Sequence, residues 1–199
     1  MNSSVEVLVL ECPQCAAPVQ KGSNICPNCF SEYMVRSVNK LHSLGGGAVD
    51  KYLSAYRKGL ASSGESMEIH FSMGLCFLEK KLYDYAIKSF EKAIGLLPEN
   101  GDVYYYAAIS ILKGRKPFIL SRIEINKMEE YLQVALMLEP RGIYYYFQAY
   151  IKYDYFSRKA YKTFPTYIEC LDKARENGLL DDEAQTFYET AGVDRPGFL

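Results

Sequence analysis

Four cysteines near the start of the chain restrict what it can fold into more than any other feature does. They form two hooks, Cys12-Pro13-Gln14-Cys15 and Cys26-Pro27-Asn28-Cys29, with ten residues between them. Two residues between cysteines let a tight turn aim both sulfurs at one point, and backbone N–H groups in such a turn offset the thiolate charge. Proline after the first cysteine of each hook fixes φ and stiffens the turn. Together the hooks complete a closed tetrahedral shell of four thiolates. That is the shell of one structural Zn2+, and it leaves no open position for a substrate. A unit this small buries too little apolar surface to fold alone, so the metal would supply its folding free energy.

The paired CPxC hooks resemble a zinc ribbon over residues 8–34. The segment between them suits a short hairpin, with Gly22, Ser23 and Asn24 as turn residues. In that family a glycine often follows the second cysteine of each hook; here Ala16 and Phe30 stand there. Two disulfides, metal-free thiols, or a rubredoxin-like iron site would also fit the spacing. The chain opens Met-Asn-Ser-Ser-Val, without a basic stretch and an apolar core, so no signal peptide is expected. In the cytoplasmic, reducing setting this implies, paired hooks read as metal ligands.

A chain of 199 residues has room for a fair-sized domain plus a small one. Its net charge is −1, and residues 1–35 hold Lys21 against Glu6, Glu11 and Glu32. A ribbon that binds nucleic acid needs cations to neutralise phosphates, so nucleic acid is disfavoured as a partner. No apolar run approaches the roughly 20 residues of a membrane span, so no membrane role is expected.

The rest of the sequence has helical spacing, which makes the expected fold mainly α. Residues 67–100 place small side chains at Gly74, Ala86 and Ala93. Large ones stand at Met73, Phe77, Tyr83 and Phe90, and Pro98 closes the unit. Small residues let two helices approach closely while large ones fill the spaces between them. This pattern resembles a tetratricopeptide repeat (TPR), departing at His70, where the family usually has an aromatic residue. Looser copies cover residues 101–140 and 143–178, each with extra residues, around 114–118 in one and 159–162 in the other. Two Tyr-Tyr-Tyr runs, from Tyr104 and Tyr144, begin 40 residues apart and mark a duplication without any template. The expected architecture is a small N-terminal zinc ribbon plus an α-solenoid of about three TPR-like helix pairs with flanking helices. Residues 47–63 would form a helix with Val49, Leu53, Tyr56 and Leu60 on one face. Residues 35–47 read as a Gly-rich flexible linker, and 48–199 as the repeat domain, with a capping helix from Asp181 to Tyr188. The tail from Asp194 to Leu199 would fray or dock.

No catalytic constellation is visible, and the chain does not read as an enzyme. The histidines are His42, expected in solvent, and His70, expected at a core edge. Cys76 and Cys170 sit beside Leu75 and Leu171 in helical patterns and read as buried small hydrophobes. Asp84 and Asp102 stand at helix starts, where capping explains them.

The TPR resemblance implies a concave face lined by the first helix of each pair. Its lining would include Phe71, Leu75 and Leu78, then Tyr105, Ile109 and Leu112, then Tyr144, Phe147 and Ile151. The Lys, Arg and Asn residues with which chaperone-binding members clamp a terminal carboxylate are missing there. An apolar, tyrosine-rich groove suits a hydrophobic or amphipathic segment of a partner protein. The same residues could equally be internal core, with the chain's own terminus filling the groove. The functional expectation is a non-catalytic adaptor or scaffold in which the ribbon is a second contact module. The alternative is a nucleic-acid-associated zinc-ribbon factor.

Overall fold

Helix ends in this chain are fixed by local side chains. Ser66 caps α3 (Met67–Glu79) by accepting from Ile69 N, and Asn100 caps α5 (Gly101–Leu112) by accepting from Asp102 N. Ser121 with Glu124 opens α6 (Arg122–Leu138), and Thr166 with Glu169 opens α8 (Tyr167–Glu176), each as a reciprocal capping box. At the other ends, Lys113 turns left-handed after α5, and Gly178 and Gly192 do so after α8 and α9 (Asp181–Ala191). The structure, a computed structural model, describes residues 9–20, 24–44 and 46–197. The expected turn residues Gly22 and Ser23, residues 1–8, Gly45 and the last two residues of the tail lie outside these.

The chain divides into two compact units, Met1–Leu97 and Pro98–Leu199. In the first, β1 (Val9–Glu11) pairs antiparallel with β2 (Pro18–Gln20), with Leu10 opposite Val19. Helices α1 (Val38–His42), α2 (Gly46–Ser63), α3 and α4 (Tyr83–Leu96) follow. α3 and α4 pack as a pair joined by three residues. The pattern of small and large residues does here what the spacing predicts. The Phe90 ring fills the space at Gly74, where an added Cβ would stand 2.4 Å from it. Ala86, Ala93 and Phe90 are fully buried.

The expected linker is corrected. Within residues 35–47, α1 is helical and Val35, Val38 and Leu41 are buried. These apolar side chains lose water contact only by packing, which ties the segment to the helices behind it. α1 contacts α3, and Ser72 donates to the Val35 carbonyl at 2.7 Å. The cysteine hairpin therefore belongs to the same compact unit as α1–α4.

In the second unit α5 pairs with α6, and α7 (Gly142–Ile151) pairs with α8. Gly142 allows the closest approach, since a Cβ there would meet Leu179 N at 2.5 Å and Ala174 O at 2.7 Å. The extra residues of the two looser copies take tightly wound 3-10 or loosely wound π turns. Pro117–Ile119 is a 3-10 turn. Lys152–Phe156 extends α7 as a π turn, and Ser157–Lys159 follows as a second 3-10 turn. α9 lies against both α5 and α7.

Candidate metal centre

Each cysteine hook folds into the same knuckle. Ala16 N donates to Cys12 O and Cys12 N donates to Ala17 O, both at 2.9 Å. Phe30 N donates to Cys26 O and Cys26 N to Ser31 O, again at 2.9 Å. Closing these turns requires the residue after the second cysteine to be left-handed. Ala16 (φ 58°) and Phe30 (φ 56°) adopt that conformation without being glycine. The knuckles thus close without glycine at these positions.

The four Sγ atoms lie within 4.8 Å of one another. Cys12 Sγ stands 3.6 Å from Cys29 Sγ, and Cys15 Sγ stands 3.7 Å from Cys26 Sγ. A tetrahedral metal with sulfur at about 2.3 Å requires edges of about 3.8 Å, so the donor set fits a four-thiolate ion. A disulfide needs sulfurs about 2.05 Å apart, and all four cysteines are free thiols. Cys12 and Cys26 are buried, whereas Cys15 and Cys29 are partly exposed. Electrostatics set Cys12 apart from Cys15 and Cys29. Burial pushes the Cys12 thiol up to about 12. The Asn28 side-chain amide, 3.5 Å from Cys15 Sγ, helps hold that thiol down at about 6. The Ser31 hydroxyl and N–H lower Cys29. Asn28 within the second hook and Ser31 just after it thus favour the thiolate form, as outer partners of a metal site do.

Aromatic hydroxyls hold the hairpin to α2. Tyr56, almost fully buried, donates to Tyr33 O at 2.8 Å and accepts from Val35 N at 3.1 Å. Tyr52 donates to Glu32 O at 2.5 Å, and Lys58 pairs with Glu11 at 3.0 Å. Leu10 packs so tightly on α2 that a Cβ at Gly59 would stand 2.2 Å from it. Sequence reasoning placed Tyr56 on the apolar face of this helix but missed its hydroxyl as an anchor. Its partners are main-chain atoms more than 20 residues away, and no side-chain pattern announces them.

The other candidate residues have structural surroundings. All nine residues expected to line a groove are buried: Phe71, Leu75, Leu78, Tyr105, Ile109, Leu112, Tyr144, Phe147 and Ile151. In the second unit the cause is visible. α9 brings Phe187 onto Phe147 with ring centroids 4.7 Å apart, while Tyr105 packs on Tyr144 at 5.1 Å. These residues of α5 and α7 thus lie inside the second unit, one of the two placements the sequence left open. The chain's own last helix lies against these helices, because their apolar aromatic surface is worth more buried than wet. Tyr106, the last of one Tyr-Tyr-Tyr run, and Tyr145, the middle of the other, remain half-exposed, since neighbours on a helix cannot all face inward.

His42, expected in solvent, pairs with Glu79 at 3.1 Å, and buried His70 pairs with Glu65. Burial pushes the Cys76 thiol up to about 12 and Cys170 up to about 11, which keeps both protonated at neutral pH. Asp102, expected to act as a cap, accepts instead from Arg141 at 2.7 Å and from Tyr144 OH at 2.8 Å. Among the described residues no helix is long and apolar enough to cross a membrane.

No protein-family model matches the chain, and no curated protein matches it. Solved structures that share similarity with it include two of MamA. MamA MSR-1 C2 has 19% identity and a TM-score of 0.48 over 74% of each chain. MamA AMB-1 P212121 has 21% identity and a TM-score of 0.48 over 70% of each chain.

Proposed function

We propose that this protein is a non-catalytic adaptor: helical repeats of TPR type carry a ribbon folded around one structural zinc ion, and exposed surfaces of both units hold partner proteins. The observation that carries the reading is the contrast between its chemistry and its surface. The thiols outside the cluster and both histidines are engaged in packing or pairing. Large apolar side chains nevertheless stand in water. Phe30 at a knuckle is 80% exposed and Ile25 beside it 54%. Phe164 in the second unit is 84% exposed. Exposed aromatic and aliphatic groups clustered at a rigid site mark surfaces that partners cover. Zinc is favoured over iron because no second redox group accompanies the cluster among the described residues, and the proposed thiolate shell suits a reducing compartment such as the cytoplasm.

The test is metal analysis of purified protein followed by capture from native lysate. One zinc per chain and a reproducible set of partner proteins are expected, reduced in the Ile25→Ser/Phe30→Ser or Phe164→Ser variants. A colourless, zinc-free preparation would remove the metal assignment. Capture of nucleic acid in place of protein would favour the zinc-ribbon nucleic-acid factor and end the adaptor reading.

A further inference from the structure

The two insertions that lengthen the looser helix pairs converge on one another. The turn Pro117–Ile119 packs against the π turn Lys152–Phe156, and Phe118 N donates to the buried Asp154 carboxylate at 2.7 Å. Together they gather charge that is scattered in sequence. Residues 113–127 contribute Lys113, Arg115, Lys116, Arg122 and Lys127, with Glu124 the one acid among them. Residues 152–162 contribute Lys152, Arg158, Lys159 and Lys162, with Asp154 the one acid. The remainder of the second unit is rich in Asp and Glu, and its Lys and Arg residues are Arg141, Lys173, Arg175 and Arg195. The cations are interleaved with rings. Arg158 lies over Phe118 at 4.4 Å, Lys159 over Tyr155 at 3.8 Å, and Arg122 over Phe156 at 4.8 Å.

Several of these charges are matched internally. Arg115 pairs with Glu124, Arg158 with Asp154, Lys152 with Glu129, Lys127 with Glu130 and Lys116 with Asp194. Among the described residues no carboxylate pairs with Arg122, Lys159 or Lys162, so the face keeps a cationic surplus. Directly beside it is an open cleft of about 380 Å³. Tyr161, Phe164, Tyr167 and Ile168 contribute its apolar lining, with Lys162 and Thr163 beside them. Tyr161 is 56% exposed, and its ring lies 6.3 Å from that of Tyr155, which joins the cleft to the cation–aromatic cluster.

We propose that this insertion face is the docking site for a short acidic segment of a partner protein, which sets one apolar side chain into the Tyr161–Phe164–Tyr167 cleft while flanking carboxylates meet Lys159, Lys162 and Arg122. Charge complementarity identifies the partner as anionic. The acidic remainder of the unit would repel a long polyanion running past the patch, which favours a short segment over a nucleic-acid strand. One apolar cleft with a cationic rim fits an anchor residue flanked by carboxylates. The proposal rests on the adaptor reading and names the partner chemistry for one of its surfaces.

The test uses the full-length zinc-loaded protein and a fluorescein-labelled 12-residue peptide of alternating Asp and Glu with one central Phe. Saturable binding that weakens with added salt is expected. Lys159→Glu/Lys162→Glu should weaken it by roughly tenfold, and Phe164→Ala by a similar factor. Lys51→Glu/Arg57→Glu, the same double charge change on the exposed side of α2 in the first unit, should leave it unchanged, and far-UV circular dichroism checks that each variant is folded. A peptide with Gly in place of the central Phe should bind more weakly than the parent. No saturable binding of the acidic peptide, or binding indifferent to these substitutions, would overturn the proposal. So would tighter binding of a 12-nucleotide oligothymidylate or of phosphatidylserine vesicles. Running the lysate capture with the same variants separates the two readings. Partners retained in full by Lys159→Glu/Lys162→Glu and Phe164→Ala sink this site and leave the adaptor standing, whereas absence of any protein partner sinks both.

Discussion

Ala16 and Phe30 show how one backbone angle is held against residue preference. Both are left-handed at φ near 57°, a region that costs a residue with a Cβ about 1–2 kcal/mol. The knuckle hydrogen bonds and the cluster around the four sulfurs maintain it. Ala16→Gly and Phe30→Gly are each expected to stabilise the metal-bound protein by about 0.5–1 kcal/mol after the greater unfolded-state entropy of glycine is subtracted. Thermal melts and chelator competition would show this as a raised midpoint and slower metal loss. Glycine is required in the opposite sense at Gly142, where a methyl group would meet backbone atoms that cannot swing away. Gly142→Ala is expected to cost about 1–3 kcal/mol in urea denaturation, as overpacking does. A cost near zero would mean that α8 sits farther from α7 than described. Tyr56→Phe leaves Val35 N and Tyr33 O without their shared hydroxyl and is expected to cost about 1–3 kcal/mol.

Among the elements, α3 is tied at its start by more than its cap. Glu65, just before Ser66, pairs with His70 one turn into the helix, and Lys92 on α4 lies 3.6 Å from the same carboxylate group. The hydrogen bond to His70 holds the Glu65 carboxyl below its ordinary value. A carboxyl depressed in the folded state stabilises above its unfolded value and loses that contribution as pH falls through the folded one. The difference in urea midpoint between wild type and Glu65→Gln should therefore be largest near neutrality and shrink below about pH 4.5. A difference constant from pH 7 to 3.5 would assign the pair no role. α9 is an element whose packing was not legible from its own sequence. Its polar first turn reads as a solvated cap, but Phe187 is fully buried and contacts Tyr146, Phe147 and Tyr150. Phe187→Ala is expected to cost about 3–5 kcal/mol by cavity formation. Truncation before Asp181 should expose the aromatic surface of α5 and α7 to a hydrophobic dye.

On the scale of the whole molecule, docking of the cysteine hairpin onto α2 couples metal binding to a helical unit. Binding free energy at such a site is folding free energy for whatever the site holds in place. Chelation should therefore lower the thermal midpoint of helical ellipticity and speed amide exchange at Tyr33, Val35 and in α2, not only within the hooks. Exchange changes confined to residues 9–34 would show an independent ribbon.

What the sequence by itself determined is local. The CPxC spacing names the four cysteines that cluster, because two thiols share each turn. Capping residues mark helix ends because they satisfy orphan N–H groups. Gly74, Ala86 and Ala93 give the first helix pair because small residues permit close approach. Tertiary structure alone decided three other matters: that Val35, Val38 and Leu41 bury a supposed linker, that α9 covers α5 and α7, and that cations from two distant insertions share one face. Each depends on apolar area or charge meeting across dozens of residues, and such meetings are settled by which surfaces best exclude water, a sum over the folded chain that no local pattern contains.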